Sequence, residues 1–129
     1  MRIDHVALWT RDLERCKQFY SSYFGAVAGE KYVNAAKGFE SYFLRFGDGA
    51  RIEAMQTATN APGEVEPDAH RMGLAHFAIS LGSEHLVDEL TQRLRSDGVP
   101  ILDGPRRTGD GYYESVALDP DGNRIEITA

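Results

Sequence analysis

The sequence predicts an α+β fold built from two tandem βαβββ modules. A short phrase occurs twice, as DGARIE at 48–53 and as DGNRIE at 121–126, so five of its six letters match. An aromatic–Glu–Ser triplet, at 39–41 and again at 113–115, precedes each phrase and is followed by an apolar stretch. Markers that recur in the same order indicate an internal duplication.

A histidine near the start of each half strengthens this interpretation. HVALW at 5–9 parallels HFAIS at 76–80. His5 lies 48 residues before Glu53, and His76 lies 50 residues before Glu126. Each module therefore contributes one early histidine and one late glutamate at nearly the same spacing.

The first module spans residues 1–56. Residues 3–9 are apolar and rich in β-favouring side chains, which predicts a strand. Thr10 or Asp12 can cap the helix that follows, and Gly25 stands where a helix-ending glycine belongs. Turn residues then divide the remainder into three short strands, predicted at 26–33, 39–46 and 50–56.

The second module, 74–129, repeats this order. A strand at 74–80 leads to a helix that Ser83 can cap and Gly98 can end. Three strands follow, predicted at 99–103, 112–118 and 124–128. Residues 57–73 are polar and rich in Pro and Gly, which predicts a linker long enough to act as a lid. We expect the two modules to form one domain.

Composition limits the classes of function. The chain of 129 residues has 42% hydrophobic residues, so it can bury a core. Its net charge of −6 argues against a nucleic-acid partner. No apolar run approaches the roughly 20 residues of a membrane span, and the N-terminus lacks the apolar region of a signal peptide. The one cysteine, Cys16, is expected to be buried and inert. These features predict a cytoplasmic protein without nucleic-acid or membrane partners.

The repeated histidines and glutamates are candidate metal ligands. Two neutral imidazoles and two carboxylates are costly to bury unpaired, and a divalent cation would neutralise them. Such a set suits Zn, Ni, Co, Mn or Fe better than Ca or Mg. The alternative is a half-buried, hydrogen-bonded histidine and a solvent-facing glutamate in each strand. Because side chains alternate along a strand, Ile52 and Ile125 should face away from the neighbouring glutamates. The candidate ligands are His5, Glu53, His76 and Glu126.

The duplicated pattern resembles the vicinal oxygen chelate superfamily, which includes glyoxalase I, extradiol dioxygenases and fosfomycin-resistance transferases. The resemblance covers essentially the whole chain and includes His-x-Ala on each first strand and the motif DPDGNRIEI at 119–127. It implies that the paired modules form a curled mixed sheet, a cup holding a divalent metal. By motif, the implied ligands are His5, Glu53, His76 and Glu126. It also implies a small-molecule substrate and a homodimer.

Within this superfamily, Glu53 favours the glyoxalase I branch, whose metal has a fourth, carboxylate ligand. The resemblance then implies a lyase or isomerase acting through a metal-stabilised enediolate, with Glu126 and Glu53 moving the proton. The substrate would be a small α-hydroxycarbonyl or a thiol hemithioacetal. Two alternatives remain: a dioxygenase or thiol transferase that uses only His5, His76 and Glu126, and a non-catalytic binding protein on the same fold.

Three further residues are predicted to bind substrate. Trp9 stands near the place where glyoxalase I carries an arginine for glutathione, so glutathione itself is not expected as the co-substrate. Arg107, in the basic, Gly-rich segment 106–112, can clamp an anionic group. Tyr113 follows that segment and can line the cup.

Overall fold

The computed structural model describes residues 2–59 and 73–129. The chain divides into two compact units, 1–64 and 65–129, each with its own sheet. Each sheet is mixed and carries one α-helix, so the predicted α+β class and the two tandem modules are confirmed. Among the described helices, none is long and apolar enough to cross a membrane. Residues 60–72, which make up most of the predicted linker and include His70, lie outside the described residues.

The first unit contains five strands, one α-helix and a short 3-10 helix in its described part. The strand order is β1-β5-β4-β2, and β3 also pairs with β4. Only the β1–β5 pair is parallel. The elements are β1 (His5–Trp9), α1 (Leu13–Phe24), β2 (Val27–Ala28), β3 (Tyr32–Asn34), the 3-10 helix (Ala35–Lys37), β4 (Phe39–Arg45) and β5 (Arg51–Thr57).

The strand predicted at 26–33 is in fact two short strands, β2 and β3. The interruption spans Gly29, Glu30 and Lys31. Glycine weakens a strand, and charged residues contribute little to its packing. The Lys31 ammonium instead reaches the carboxylate of Glu40, at 3.1 Å.

Helix α1 has the predicted ends. The Asp12 side chain accepts a hydrogen bond from the backbone N–H of Arg15 at 2.9 Å, which caps the first turn. Gly25 ends the helix with a φ of 64°, a left-handed conformation that favours glycine. Leu13, Cys16, Phe19 and Tyr20 are buried on the face of α1 that packs on the sheet. The expectation of a buried Cys16 is confirmed.

Alternation along β5 separates two faces of the first sheet. Ile52 and Ala54 are buried on the α1 side, where the Gln56 amide oxygen also accepts from the Leu13 N–H at 2.8 Å. Glu53 points to the opposite face. The register of β1 against β5 places His5, Ala7 and Trp9 on that same face.

The second unit has four strands and one α-helix in its described part. Its strand order is β6-β9-β8-β7, and only the β6–β9 pair is parallel. Ser83 caps the helix as predicted, accepting from the backbone N–H of Leu86 at 3.3 Å. The elements are β6 (Phe77–Ser80), α2 (Glu84–Ser96), β7 (Ile101–Arg107), β8 (Tyr113–Leu118) and β9 (Arg124–Thr128).

The turn before β9 is built on one carboxylate. Asp119 accepts hydrogen bonds from the backbone N–H groups of Asp121 and Asn123, at 2.9 and 2.8 Å, and from the Asn123 side chain. These bonds fix the point at which β9 begins. Ile125 and Ile127 are then fully buried, and Glu126 points to the face opposite α2.

Strand β7 is irregular where it passes β8. The pairing register shifts between Ile101 and Asp103 and again between Asp103 and Arg106. Gly104 lies inside this irregular stretch with a φ of 74°, and a Cβ there would lie 2.5 Å from the carbonyl oxygen of Glu114. Only glycine fits so close to the neighbouring backbone.

Candidate functional site

In the first unit, His5 and Glu53 lie side by side on the face opposite α1. The Nε2 atom of His5 is 3.8 Å from the Oε2 atom of Glu53. In the parallel β1–β5 pair, Ala7 rather than His5 is the partner of Glu53. Because alanine is small, the glutamate side chain has room to extend toward the imidazole two residues away.

Asp4 and Arg51 support this histidine. The Nδ1 atom of His5 lies 3.0 Å from the Asp4 carboxylate, which also binds the Arg51 guanidinium. The hydrogen bonds from His5 and then from Arg51 lower the pKa of Asp4. An ionised Asp4 holds the proton on Nδ1, which leaves the lone pair on Nε2, the atom that faces Glu53.

The His5 ring is also held by packing. Its edge meets the ring of Phe43 with the centroids 5.3 Å apart. The Arg51 guanidinium lies over the same phenyl ring, 4.4 Å from its centroid. Phe43 is the register partner of Glu53 on β4. These contacts pack one edge of the imidazole against the first sheet.

The second unit repeats the pair. His76 lies one residue before β6, and its Nε2 atom is 3.1 Å from Oε2 of Glu126. An alanine again faces the glutamate, because Ala78 is the register partner of Glu126. The residue that precedes the histidine differs between the units, since it is Asp4 in the first unit and Ala75 in the second. The structure thus places each predicted histidine beside the predicted glutamate of its own unit.

The donor atoms of each pair suit a divalent transition metal. Each pair offers an imidazole nitrogen and a carboxylate oxygen, which are ligand types that zinc and its neighbours accept. The orientation of His5 by a carboxylate is the arrangement commonly found behind metal-binding histidines. Within residues 2–59 and 73–129, no group of three or more His, Cys, Asp or Glu side chains is arranged to hold an ion. Each pair therefore supplies a partial ligand set.

Glu114 lies on the face of the second sheet that carries Glu126, and it was not among the residues predicted from the sequence. It pairs with Thr128 on β9, while Val116 pairs with Glu126, so both glutamates project from the same face of the second sheet. Burial, and then the negative charge of Glu126, raises the pKa of Glu114. On the facing strand β7, its register partner is Arg106, whose guanidinium binds Asp103 at 2.7 Å.

The repeated aromatic–Glu–Ser triplet suggests that Glu114 is equivalent to Glu40, but the strand register shows that it is not. Phe43 pairs with Glu53, and Val116 pairs with Glu126, so Phe43 and Val116 are the equivalent residues. Counting back along each strand makes Ser41, not Glu40, the equivalent of Glu114. The triplets are therefore out of register by one residue, and their glutamates project from opposite faces. The duplication itself is unaffected.

Of the three predicted substrate-binding residues, only Trp9 lies on a face that carries a His–Glu pair. Tyr113 donates a hydrogen bond to Asp88 of α2 at 2.7 Å, and this bond raises the pKa of its hydroxyl. Arg107 forms an ion pair with Glu84, also on α2. Tyr113 and Arg107 thus lie on the helix side of the second sheet, away from Glu126. Their role in substrate binding stays a prediction.

Comparison with known proteins agrees with the fold. The uncharacterized protein YqjT of Bacillus subtilis (strain 168) is 28% identical over 130 residues, which cover 97% of this chain and 96% of that protein. A glyoxylase/bleomycin resistance protein/dioxygenase domain from Frankia sp. EAN1pec superposes with a TM-score of 0.83 at 18% identity, covering 99% of this chain and 96% of that one. The trypanothione-dependent glyoxalase I of Leishmania major gives a TM-score of 0.77 at 24% identity, covering 99% and 86%.

The family assignment rests on the sequence as well as the fold. Residues 2–127 match the Glyoxalase/Bleomycin resistance protein/Dioxygenase superfamily, so the match includes both His–Glu pairs and the turn at Asp119. The predicted resemblance is confirmed: this chain belongs to the Glyoxalase/Bleomycin resistance protein/Dioxygenase superfamily.

Proposed function

We propose that the chain is a divalent-metal-dependent lyase or isomerase of the glyoxalase I type. The observation that carries this proposal is that each unit has an equivalent His–Glu pair. In both units the glutamate lies opposite an alanine of the neighbouring parallel strand. Its substrate is a small α-hydroxycarbonyl or a thiol hemithioacetal. The proposed metal ligands are His5, Glu53, His76 and Glu126.

The number of ligands that a metal ion requires supports the proposal that both His–Glu pairs bind metal. One His–Glu pair supplies two donor atoms, whereas ions such as zinc take four or more. Two pairs give two nitrogens and two oxygens, a set suited to Zn, Ni, Co, Mn or Fe. When bound, the ion would supply Lewis-acid chemistry by polarising substrate oxygens.

The glutamates are the proposed proton carriers. Glu126 would take a proton from one substrate carbon and return it to the adjacent carbon, with Glu53 as the second carboxylate. Both side chains are about one-fifth exposed, so a small molecule can reach them. Trp9 would contact the substrate beside Glu53. Arg107 and Tyr113 both contact α2, and their predicted contact with the substrate is tested by the Tyr113→Phe variant described in the Discussion.

The presence of Glu53 beside His5 favours this chemistry over the alternatives. A dioxygenase or thiol transferase would need only His5, His76 and Glu126. A non-catalytic binding protein would need none of the pairs. We also propose a homodimer in a reducing compartment such as the cytoplasm, where a single buried thiol is typical.

Metal content of the purified protein tests the proposal first. We expect stoichiometric metal in the wild type and at least about a tenfold loss of affinity in Glu53→Gln and in His76→Ala. Matched controls are Glu40→Gln, on the α1 side of β4, and His85→Ala, on the exposed surface of α2. Both controls should retain the metal.

Turnover then separates the chemical classes. Isomerisation of methylglyoxal hemithioacetals is followed with glutathione and with several other thiols. Turnover that is lost in Glu53→Gln supports the glyoxalase I type. A protein that holds metal equally well after Glu53→Gln would favour the three-ligand alternatives. Negligible metal in all variants would overturn the metal-dependent proposal.

A further inference from the structure

Three aromatic rings lie together on the face opposite α1 in the first unit. Trp9 meets Phe39 with ring centroids 6.2 Å apart and planes at 90°. Tyr32 meets the same Phe39 with centroids 6.1 Å apart. Trp9 and Tyr32 are 53% and 55% exposed, although large aromatic side chains usually bury most of their surface. We call Trp9, Tyr32 and Phe39 the aromatic platform.

The strand register places this platform next to the His5–Glu53 pair. Trp9 pairs with Met55, Met55 with Ser41, and Ser41 with Tyr32, so one row of side chains crosses four strands. The adjacent row on the same face contains Ala7 and Glu53. Two residues along a strand span roughly 7 Å. The platform row is therefore one row away from Glu53 and two rows, roughly 14 Å, away from His5, with only the small Ala7 between Trp9 and His5.

The platform row has no charged side chain. It consists of Trp9, Met55, Ser41 and Tyr32, and Ser41 is buried beneath its neighbours. Phe39 pairs with two uncharged residues, Thr57 and Asn34. In contrast, the other end of the face carries Arg51 and His5. Within this row, a bound group would find ring faces and a thioether but no charged partner for an anion.

We propose that the aromatic platform binds a flat, uncharged aromatic substituent of the substrate while the substrate's hydroxycarbonyl oxygens lie at His5 and Glu53. This inference rests on the proposed function and names its substrate class, an aryl-substituted α-hydroxycarbonyl. Ring-on-ring contact and removal of apolar surface from water would supply the selectivity. The roughly 7 Å between the platform row and the row of Glu53 matches a substituent attached directly beside the reacting carbons.

A comparison of mandelate and lactate binding tests the platform, because the two acids differ only in a phenyl group in place of a methyl group. Trp9 is the only tryptophan of the chain, so its fluorescence reports ligand binding at the platform directly. With the metal-loaded wild type, we expect mandelate to change Trp9 emission and to bind about tenfold more tightly than lactate. Equal affinities for the two acids, or no binding of mandelate, would overturn the proposal.

Tyr32 and Val33 give a matched pair of variants. They are adjacent and equally exposed at 55%, but Val33 pairs with Glu40 and so projects from the other face. We expect Tyr32→Ala to weaken mandelate binding about fivefold and to leave lactate binding unchanged. Val33→Ala should change neither. A similar loss in both variants would indicate a general effect on β3 and would contradict the platform.

The same titrations distinguish failure of the platform from failure of the metal proposal. Metal-loaded protein that binds both acids equally would overturn the platform and leave the proposed function standing. A preference for mandelate in wild-type protein that binds no metal would support the platform and overturn the metal proposal. Tyr32→Ala should reduce that preference to about twofold in either case.

Discussion

The Nδ1 atom of His5 lies 3.0 Å from the carboxylate of Asp4, the residue immediately before it. This contact orients the imidazole so that Nε2 faces Glu53. In the second unit the residue before His76 is Ala75, which carries no carboxylate. The shorter 3.1 Å contact between His76 and Glu126 is the corresponding restraint in that unit.

Loss of the Asp4 carboxylate should weaken metal binding. We expect Asp4→Asn to lower affinity for a divalent ion about 10- to 100-fold, because the imidazole loses the partner that fixes its tautomer and orientation. Competition with a chromophoric chelator measures the change. Asp48→Asn, on the exposed hairpin turn of the same unit, is the control. Unchanged affinity in Asp4→Asn would show that Asp4 does not support the ligand.

Removal of the Tyr113 hydroxyl separates a structural role from the predicted role in substrate binding. Tyr113 donates to Asp88 on α2, on the side of the sheet away from Glu126. We expect Tyr113→Phe to lower the urea midpoint of unfolding slightly, because the variant loses one solvent-exposed hydrogen bond to α2. Urea unfolding and KM are measured together. A raised KM with unchanged stability would instead support the substrate role predicted from the sequence.

A buried pair of hydroxyls joins α2 to β8. Thr91 donates to the carbonyl oxygen of Val87 at 2.6 Å, and its oxygen lies 2.6 Å from that of Ser115. Thr91→Val would leave the Ser115 hydroxyl buried without this partner. We expect a loss of about 1–3 kcal/mol in the free energy of unfolding, measured with urea.

The double variant Thr91→Val/Ser115→Ala completes a cycle. Because it removes both polar groups, its cost should be smaller than the sum of the two single variants. Additive losses would show that the two hydroxyls do not depend on each other.

The elements of this fold were predictable where the signal is local. Asp12, Gly25 and Ser83 end or begin helices through their own side chains and backbone conformations, and the sequence shows them directly. The two His–Glu pairs were also predictable, because the duplication repeats their spacing. Strand alternation predicted correctly that Ile125 would face away from Glu126, and the structure buries Ile125 on that side.

Residues whose position depends on strand pairing were harder to predict. The aromatic–Glu–Ser triplets looked equivalent, yet a one-residue difference in register places Glu40 and Glu114 on opposite faces. The irregular pairing of β7 likewise places Arg106, rather than Arg107, opposite Glu114. These register shifts depend on how the strands pair, and they cannot be deduced from the single sequence. Asp4 is visible in the sequence as a carboxylate next to a candidate ligand. Its role as a partner of His5 became clear only from the contact in the structure.

Glu14 in the first turn of α1 is the centre of an ionic cluster. Its carboxylate binds Lys17 and Lys31, and it accepts from the Tyr42 hydroxyl at 3.0 Å. The hydrogen bond from Lys17, followed by that from Tyr42, lowers the pKa of Glu14 from 4.5 to about 2. Folding therefore favours the ionised carboxylate. The resulting stability is present above pH 4.5 and is lost as the pH falls toward 2.

Replacement of Glu14 should reveal this pH dependence. We expect Glu14→Gln to lower the free energy of unfolding at pH 7 by about 0.5–1 kcal/mol, since water screens this half-exposed cluster. The deficit should shrink as the pH falls below 4.5. Urea unfolding at pH 7, 5 and 3 measures it, with Glu89→Gln in the exposed His85–Glu89 pair as the control. A deficit that stays constant over this range would mean that the carboxylate of Glu14 contributes through packing and not through its charge.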